Sequence, residues 1–135
     1  MKKIIYIILI ILIIVGGIIM LFSRKNKKFE IAETIKYVSM DDIVQIMEEN
    51  ENYIILDVRT IEEYDEGHIP NAICIPNETI DEDVINKLTS KDQLILIYCR
   101  SGNRSIQAAN KLKKLGYTNL IEFGGIIDWN GEIEK

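Results

Sequence analysis

The sequence predicts an α/β fold, an open parallel sheet flanked by helices, preceded by one transmembrane helix. Three observations lead there. Short apolar runs such as "YIILDV" (Tyr53–Val58) and "QLILIYC" (Gln93–Cys99) read as buried strands. Segments with helical periodicity separate them, an alternation that argues for parallel strands joined by crossovers. Ahead of both lies an uncharged stretch of 19 residues, Ile4–Phe22.

The elements come in order along the chain. "IIYIILIILIIVGGIIMLF" has the length that crosses a ~30 Å hydrocarbon layer as a helix. It exceeds a signal-peptide core, and no A-x-A-like cleavage site follows. Residues 1–28 therefore read as a transmembrane anchor with a basic flank, and residues 29–36 as a linker. Lys2 and Lys3 precede the span, while Arg24, Lys25, Lys27 and Lys28 follow it. The positive-inside bias then predicts a single-pass membrane protein with its domain, residues 37–135, on the cytoplasmic side.

Within that domain, "YVS" (Tyr37–Ser39) is a candidate strand, and Ser39 can cap a helix carrying Ile43, Val44, Ile46 and Met47 on its apolar face. After the strand Tyr53–Val58, "TIEEYDEGH" reads as a short helix ended by Gly67. "AICIP" is a short strand stopped by Pro76, and "ETIDEDVINKL" reads as a helix. "QLILIYC" is the most apolar strand. Residues 105–115 place Ala108, Ala109, Leu112 and Leu115 on one helical face, with Gly116 where a C′ residue belongs. "NLIEF" is the last strand, and "GGIIDWNGEI" closes the chain with a turn and a short helix.

The formal net charge of -5 gives no basic surface for nucleic acid. Charge is also unevenly placed. Residues 1–28 hold six Lys and Arg and no acid, whereas all 21 acids lie in residues 29–135.

The chemistry points to "CRSGNRS". Cys99 ends a strand and precedes a helix, and in open α/β sheets ligands collect at the carboxyl ends of strands. Unpaired N–H groups and the helix dipole meet there, beside Arg100 and Arg104. Both favour the thiolate, so Cys99 should have a depressed pKa. The same N–H groups can cradle an anion, and Gly102 lets the loop curl. A core-filling cysteine is the plainer alternative. Two arginines and a glycine within five residues of Cys99 favour a nucleophile.

"CRSGNRS" resembles the active-site loop of the rhodanese domain, the sulfurtransferase fold. "ILDVRTIEEYDEGHIPNAICIP" (residues 55–76) resembles that family's upstream signature, and "FGGIIDWNGE" (residues 123–132) its closing Gly-Gly-x-x-x-Trp element. The resemblance implies a rhodanese-like parallel sheet and a reaction: Cys99 takes the outer sulfur of a donor such as thiosulfate, then passes it to cyanide or a thiol. A protein acceptor also fits. Arg104 would bind the donor's oxyanion end, Arg100 would steer anions, and Ser101, Gly102 and Asn103 would shape the loop. No metal or organic cofactor is implied.

His68 belongs to the Gly-His-Ile turn of the family pattern, which implies a structural role rather than a base for Cys99. Asp57 and Arg59 follow a strand and could edge the active site; a pair supporting the loop and the neighbouring helix is the favoured reading. Cys74 reads as a core residue, with a resolving thiol as the alternative, and Trp129 as packing. Two other function classes stay open. A phosphatase or arsenate reductase uses a related loop, but phosphatases of this chemistry have Cys-x5-Arg, and Cys99 to Arg104 is Cys-x4-Arg. The other is a non-turnover docking or persulfide-sensing module; docking modules of the family commonly lack the cysteine, which this chain keeps.

Overall fold

A computed structural model describes residues 3–17, 35–81, 84 and 86–135. The chain divides into two units, Met1–Glu33 and Thr34–Lys135. In the first, helix α1 covers residues 3–17. At 1.5 Å per residue the described stretch is about 22 Å long. Among the described residues no helix is long and apolar enough to cross a membrane. This overturns the expected transmembrane helix and membrane location. The apolar run is long in sequence, but its end, residues 18–22, lies outside the described residues, as do Arg24, Lys25, Lys27 and Lys28.

The second unit keeps the alternation read from sequence. In order it contains β1 (Ile35–Tyr37), α2 (Met40–Glu49), β2 (Tyr53–Asp57), α3 (Ile61–Glu66), β3 (Ile73–Cys74), β4 (Leu94–Cys99), α4 (Asn103–Lys114) and β5 (Leu120–Gly125). The strands form one sheet in the order β1-β5-β4-β2-β3, with every pairing parallel. β1 begins at Ile35, inside the stretch read as linker and ahead of "YVS". Ser39 is taken up by the next helix instead: its hydroxyl accepts from Asp42 N–H at 3.2 Å.

β4 is central, so both of its faces are covered. Ile95, Ile97 and Cys99 pack in the cluster that holds Ala108, Ala109 and Leu112 of α4. Leu96 and Tyr98 join the opposite cluster, with Ile43 of α2. Alternation along the strand thus turns the Cys99 side chain toward α4. Each fully buried Ile or Leu contributes roughly 2 kcal/mol to this core, which makes β4 a rigid base for the residues beyond it.

One helix expectation changes. After Pro76 the chain forms a 3-10 helix over Asn77–Thr79 instead of opening the α-helix read in "ETIDEDVINKL". Thr79 Oγ1 donates to Pro76 O at 3.0 Å, a local bond that competes with helix propagation. Within that stretch Asp81 is exposed, and Glu82 and Asp83 lie outside the described residues. The closing "IID" (Ile126–Asp128) is likewise a 3-10 turn.

Candidate functional site

The loop after β4 is built on glycine. Gly102 is the N-cap of α4 with φ +109°, a conformation that disfavours any side chain. Space is not the constraint, since a Cβ there would meet only Gly124 Cα at 3.8 Å. Gly125 is the reverse case. A Cβ on it would lie 2.1 Å from Arg100 O and 2.5 Å from Ser101 Cα, so the loop rests directly on bare β5 backbone. The β4–β5 register also slips just here: Ile97 faces Glu122, while Cys99 faces Gly125. Such an irregularity re-aims a strand-end side chain.

Cys99 is 1% exposed and free. Gly102 N–H donates to its sulfur at 3.0 Å, and Ser105 Oγ lies 3.4 Å away. Burial pushes the thiol up. The Ser105 hydroxyl and the N–H groups of Ser105, Gly102 and Ser101 outweigh that and hold Cys99 below the ordinary thiol value. Ser105 is fully buried, and its hydroxyl also reaches Glu122 Oε1 at 2.5 Å and Gly102 O at 2.8 Å. Glu122, itself buried, accepts Gly124 N–H at 2.9 Å. A buried Cys99–Ser105–Glu122 row therefore underlies the loop.

The two arginines of the loop differ. Arg100 is exposed, and among the described residues it enters no ion pair. Arg104 is held by Glu63 of α3 in a two-pronged pair, Nη1–Oε2 at 2.6 Å and Nη2–Oε1 at 2.9 Å. That pair holds the Glu63 carboxyl down at about 2. Ser101 is exposed and contributes its N–H to Cys99; Asn103, also exposed, opens α4.

The supporting residues form a second assembly behind the loop. Asp57, fully buried, accepts Arg59 Nε at 3.0 Å, Arg59 Nη2 at 2.7 Å and the Tyr98 hydroxyl at 2.7 Å. Arg59 Nη2 also donates to Gly67 O at 2.7 Å, tying the end of β2 to the end of α3. Burial and then Asp57 push the Tyr98 phenol far up, so it stays a donor. His68 stacks on Tyr64 with ring centroids 3.7 Å apart, and its Nδ1 is 3.0 Å from Tyr64 O. Its backbone pairs with Glu134. These contacts bind the Gly-His-Ile turn to the chain's end, and none of them involves Cys99.

Trp129 borders a cavity of about 300 Å³ with Met47, Tyr53 and Ile69, which no residue of the 99–105 loop lines. Its indole N–H donates to Glu132 O at 3.0 Å. The polarised thiol lies at the loop, so the loop and not this cavity is the candidate site. Among the described residues no group of three His, Cys, Asp or Glu side chains could hold a metal ion.

Sequence reasoning overlooked Glu63, Ser105 and Glu122. Glu122 had a signal: it is the one charge in the apolar strand "NLIEF", and a buried acid needs a partner. Ser105 directly follows the loop arginine. Glu63 reads locally as a capping residue, and nothing in its neighbourhood announces a partner 41 positions away.

The fold, the strand-end cysteine and the N–H-lined loop define a class, and the family comparison agrees. The Rhodanese-like domain model matches residues 39–132, and the chain belongs to that family. It is 37% identical over 122 residues to the putative sulfur carrier protein YrkF of Bacillus subtilis, covering 88% of this chain and 65% of that one, just under two thirds of its length. It is 34% identical over 73 residues to the thiosulfate sulfurtransferase PspE of Escherichia coli, covering 54% and 70% of the two chains. Among solved structures, a rhodanese with anions from E. coli superposes with a TM-score of 0.57 at 31% identity, covering 62% of this chain and 98% of that one.

Proposed function

We propose that the chain is a sulfurtransferase that carries a sulfane sulfur as a persulfide on Cys99. The observation that carries this reading is the depressed thiol: a buried sulfur that accepts Gly102 N–H at 3.0 Å with Ser105 beside it. A thiolate is the nucleophile this chemistry needs. With thiosulfate as donor, the Cys99 thiolate attacks the outer sulfur. A new S–S bond forms, the old one breaks, and sulfite leaves with the electron pair. Cyanide or a thiolate then attacks the outer sulfur of the persulfide, and the Cys99 thiolate leaves. No net oxidant or reductant is consumed.

The N–H groups of Ser101, Gly102 and Ser105 are placed to receive the sulfur's negative charge. Gly102 and Asn103 set the loop's shape, Arg100 steers anions, and Arg104 is the candidate contact for a donor's oxyanion end. Asp57, Arg59 and His68 act as structural support. The activity is assigned to residues 37–135 together with the start of β1 at Ile35. Thiosulfate as donor is supported by the name of the E. coli relative, and a protein acceptor by the sulfur carrier of B. subtilis.

The test is thiocyanate formation from thiosulfate and cyanide by the full chain. Turnover that disappears in Cys99→Ser supports the assignment. Turnover that survives in a folded Cys99→Ser protein rejects it.

A further inference from the structure

Arg104 is the loop cation whose charge interacts with the Cys99 sulfur, yet its guanidinium is already engaged. Both of its terminal nitrogens meet the Glu63 carboxylate, at 2.6 and 2.9 Å. The side chains are 27% and 26% exposed, so the pair stands at the surface beside the loop. Arg104 also feels the Cys99 sulfur: its own pKa is raised by Glu63 first, with the thiolate charge adding to the shift. Glu63 stays ionised at any pH where sulfur transfer is assayed, being held at about 2 chiefly by Arg104. Arg59 gives no relief, because Asp57 holds it.

We propose that Glu63 is a specificity-determining residue: by holding Arg104 it disfavours dianionic sulfane donors such as thiosulfate and favours donors whose sulfane sulfur bears no oxyanion, the alkyl and protein persulfides. The inference rests on the sulfur-transfer reading of Cys99. Thiosulfate that draws on Arg104 must displace its carboxylate or approach beside it, and both oppose a dianion, while the exposed Arg100 can only steer it from outside. A persulfide R–S–SH needs neither. The Cys99 thiolate attacks its outer sulfur, the S–S bond to R breaks, and R–S⁻ leaves with the electron pair while the proton stays on the transferred sulfur.

The charge of Glu63 is not required by its own helix. Glu63 Oε2 accepts Thr60 N–H at 3.0 Å, and Thr60 Oγ1 accepts Glu63 N–H at 3.2 Å, a capping box. Glutamine serves in that motif as well as glutamate. Glu63→Gln therefore removes the charge on Arg104 and keeps the cap.

The experiment compares wild type and Glu63→Gln, as full chains, with thiosulfate and with mercaptoethanol persulfide as donors and cyanide as common acceptor. The variant should gain roughly fivefold in kcat/KM for thiosulfate, mainly through KM, as expected for one half-exposed ion pair. Its kcat/KM for the persulfide should stay within about twofold, and the thiosulfate gain should shrink at high salt. No gain for thiosulfate, or equal gains for both donors, overturns the proposal. If Glu63→Gln does not fold, Glu63→Asp takes its place. Its shorter carboxylate loosens the two-pronged contact, so a smaller thiosulfate gain supports the proposal and no gain overturns it. Failure of the folded wild type to take sulfur from either donor would instead reject the sulfur-transfer reading itself.

Discussion

Cys74 ends β3 at the edge of the sheet, and Cys99 ends β4 at its centre. Both lie at carboxyl ends of parallel strands, and both are free thiols. Cys74 is the more exposed of the two, yet its thiol is pushed up to about 11 by burial and then by the Asp57 charge. Its sulfur can only donate, reaching Arg59 O at 3.6 Å. Cys99 is more deeply buried, yet its pKa is lowered. Burial acts in the same direction on both. The difference lies in the segment beyond each strand: a proline-bearing turn after Cys74, and a run of inward N–H groups with Ser105 after Cys99. Donors aimed at the sulfur, not accessibility, decide which thiol is held below its ordinary pKa.

The strongest way to break this comparison is to delete each sulfur. Cys99→Ser should lose sulfur transfer entirely, while Cys74→Ser should keep most of it, measured as thiocyanate release. Comparable loss in a folded Cys74→Ser protein would mean that the two thiols work together. Inserting a glycine after Asn103 should come next. It draws the N–H groups away from Cys99 and should cost on the order of a hundredfold in rate, the usual loss for misplaced donors. The same pair of proteins tested on an aryl phosphate separates sulfur chemistry from phosphoryl chemistry. The unmodified Cys-x4-Arg loop should hydrolyse none, since a phosphoryl group needs a wider cradle.

Ser105→Ala sharpens the comparison without moving the backbone. Losing the Ser105 hydroxyl should raise the Cys99 pKa and lower its thiolate fraction at neutral pH. Alkylation rates against pH would show the midpoint moving upwards, towards the behaviour of Cys74. An unmoved midpoint would mean that the backbone N–H groups alone hold the thiolate.

The smallest effect is on stability, and the two cysteines should oppose each other. The folded pKa of Cys99 lies below its unfolded value, so it adds stability above the ordinary thiol range that is lost as pH falls through the folded value. The folded pKa of Cys74 lies above its unfolded value. Its contribution is full below the ordinary thiol pKa and is lost as pH rises towards about 11. Urea melts of wild type and the two serine variants between about pH 7 and pH 10 should therefore diverge with opposite signs.

The same contrast explains how much could be read from the sequence. β2 and β4 are continuous apolar runs, so their place in a buried parallel sheet was legible. So was the loop, because a strand-end cysteine, a glycine and arginines are local signals. Glu122 and Ser105 meet across 17 positions, and Glu63 and Arg104 across 41. The first comes from the packing of α4 on β5 and the second from a single ion pair between α3 and α4, and no local pattern encodes either. The amino-terminal run misled for the opposite reason: its apolarity satisfies a membrane criterion over Ile4–Phe22, whereas the described helix covers residues 3–17. At the start of "ETIDEDVINKL", the preceding Pro76 and Thr79 set a 3-10 helix where the side-chain pattern alone favoured an α-helix.

The most direct measurement is peptide mass spectrometry of the full chain after exposure to thiosulfate or an alkyl persulfide and removal of excess donor. A persulfide held on Cys99 predicts one added sulfur atom on the peptide that contains Cys99 and none on the peptide that contains Cys74. Sulfur on Cys74 instead, or a disulfide joining the two cysteines, would contradict it.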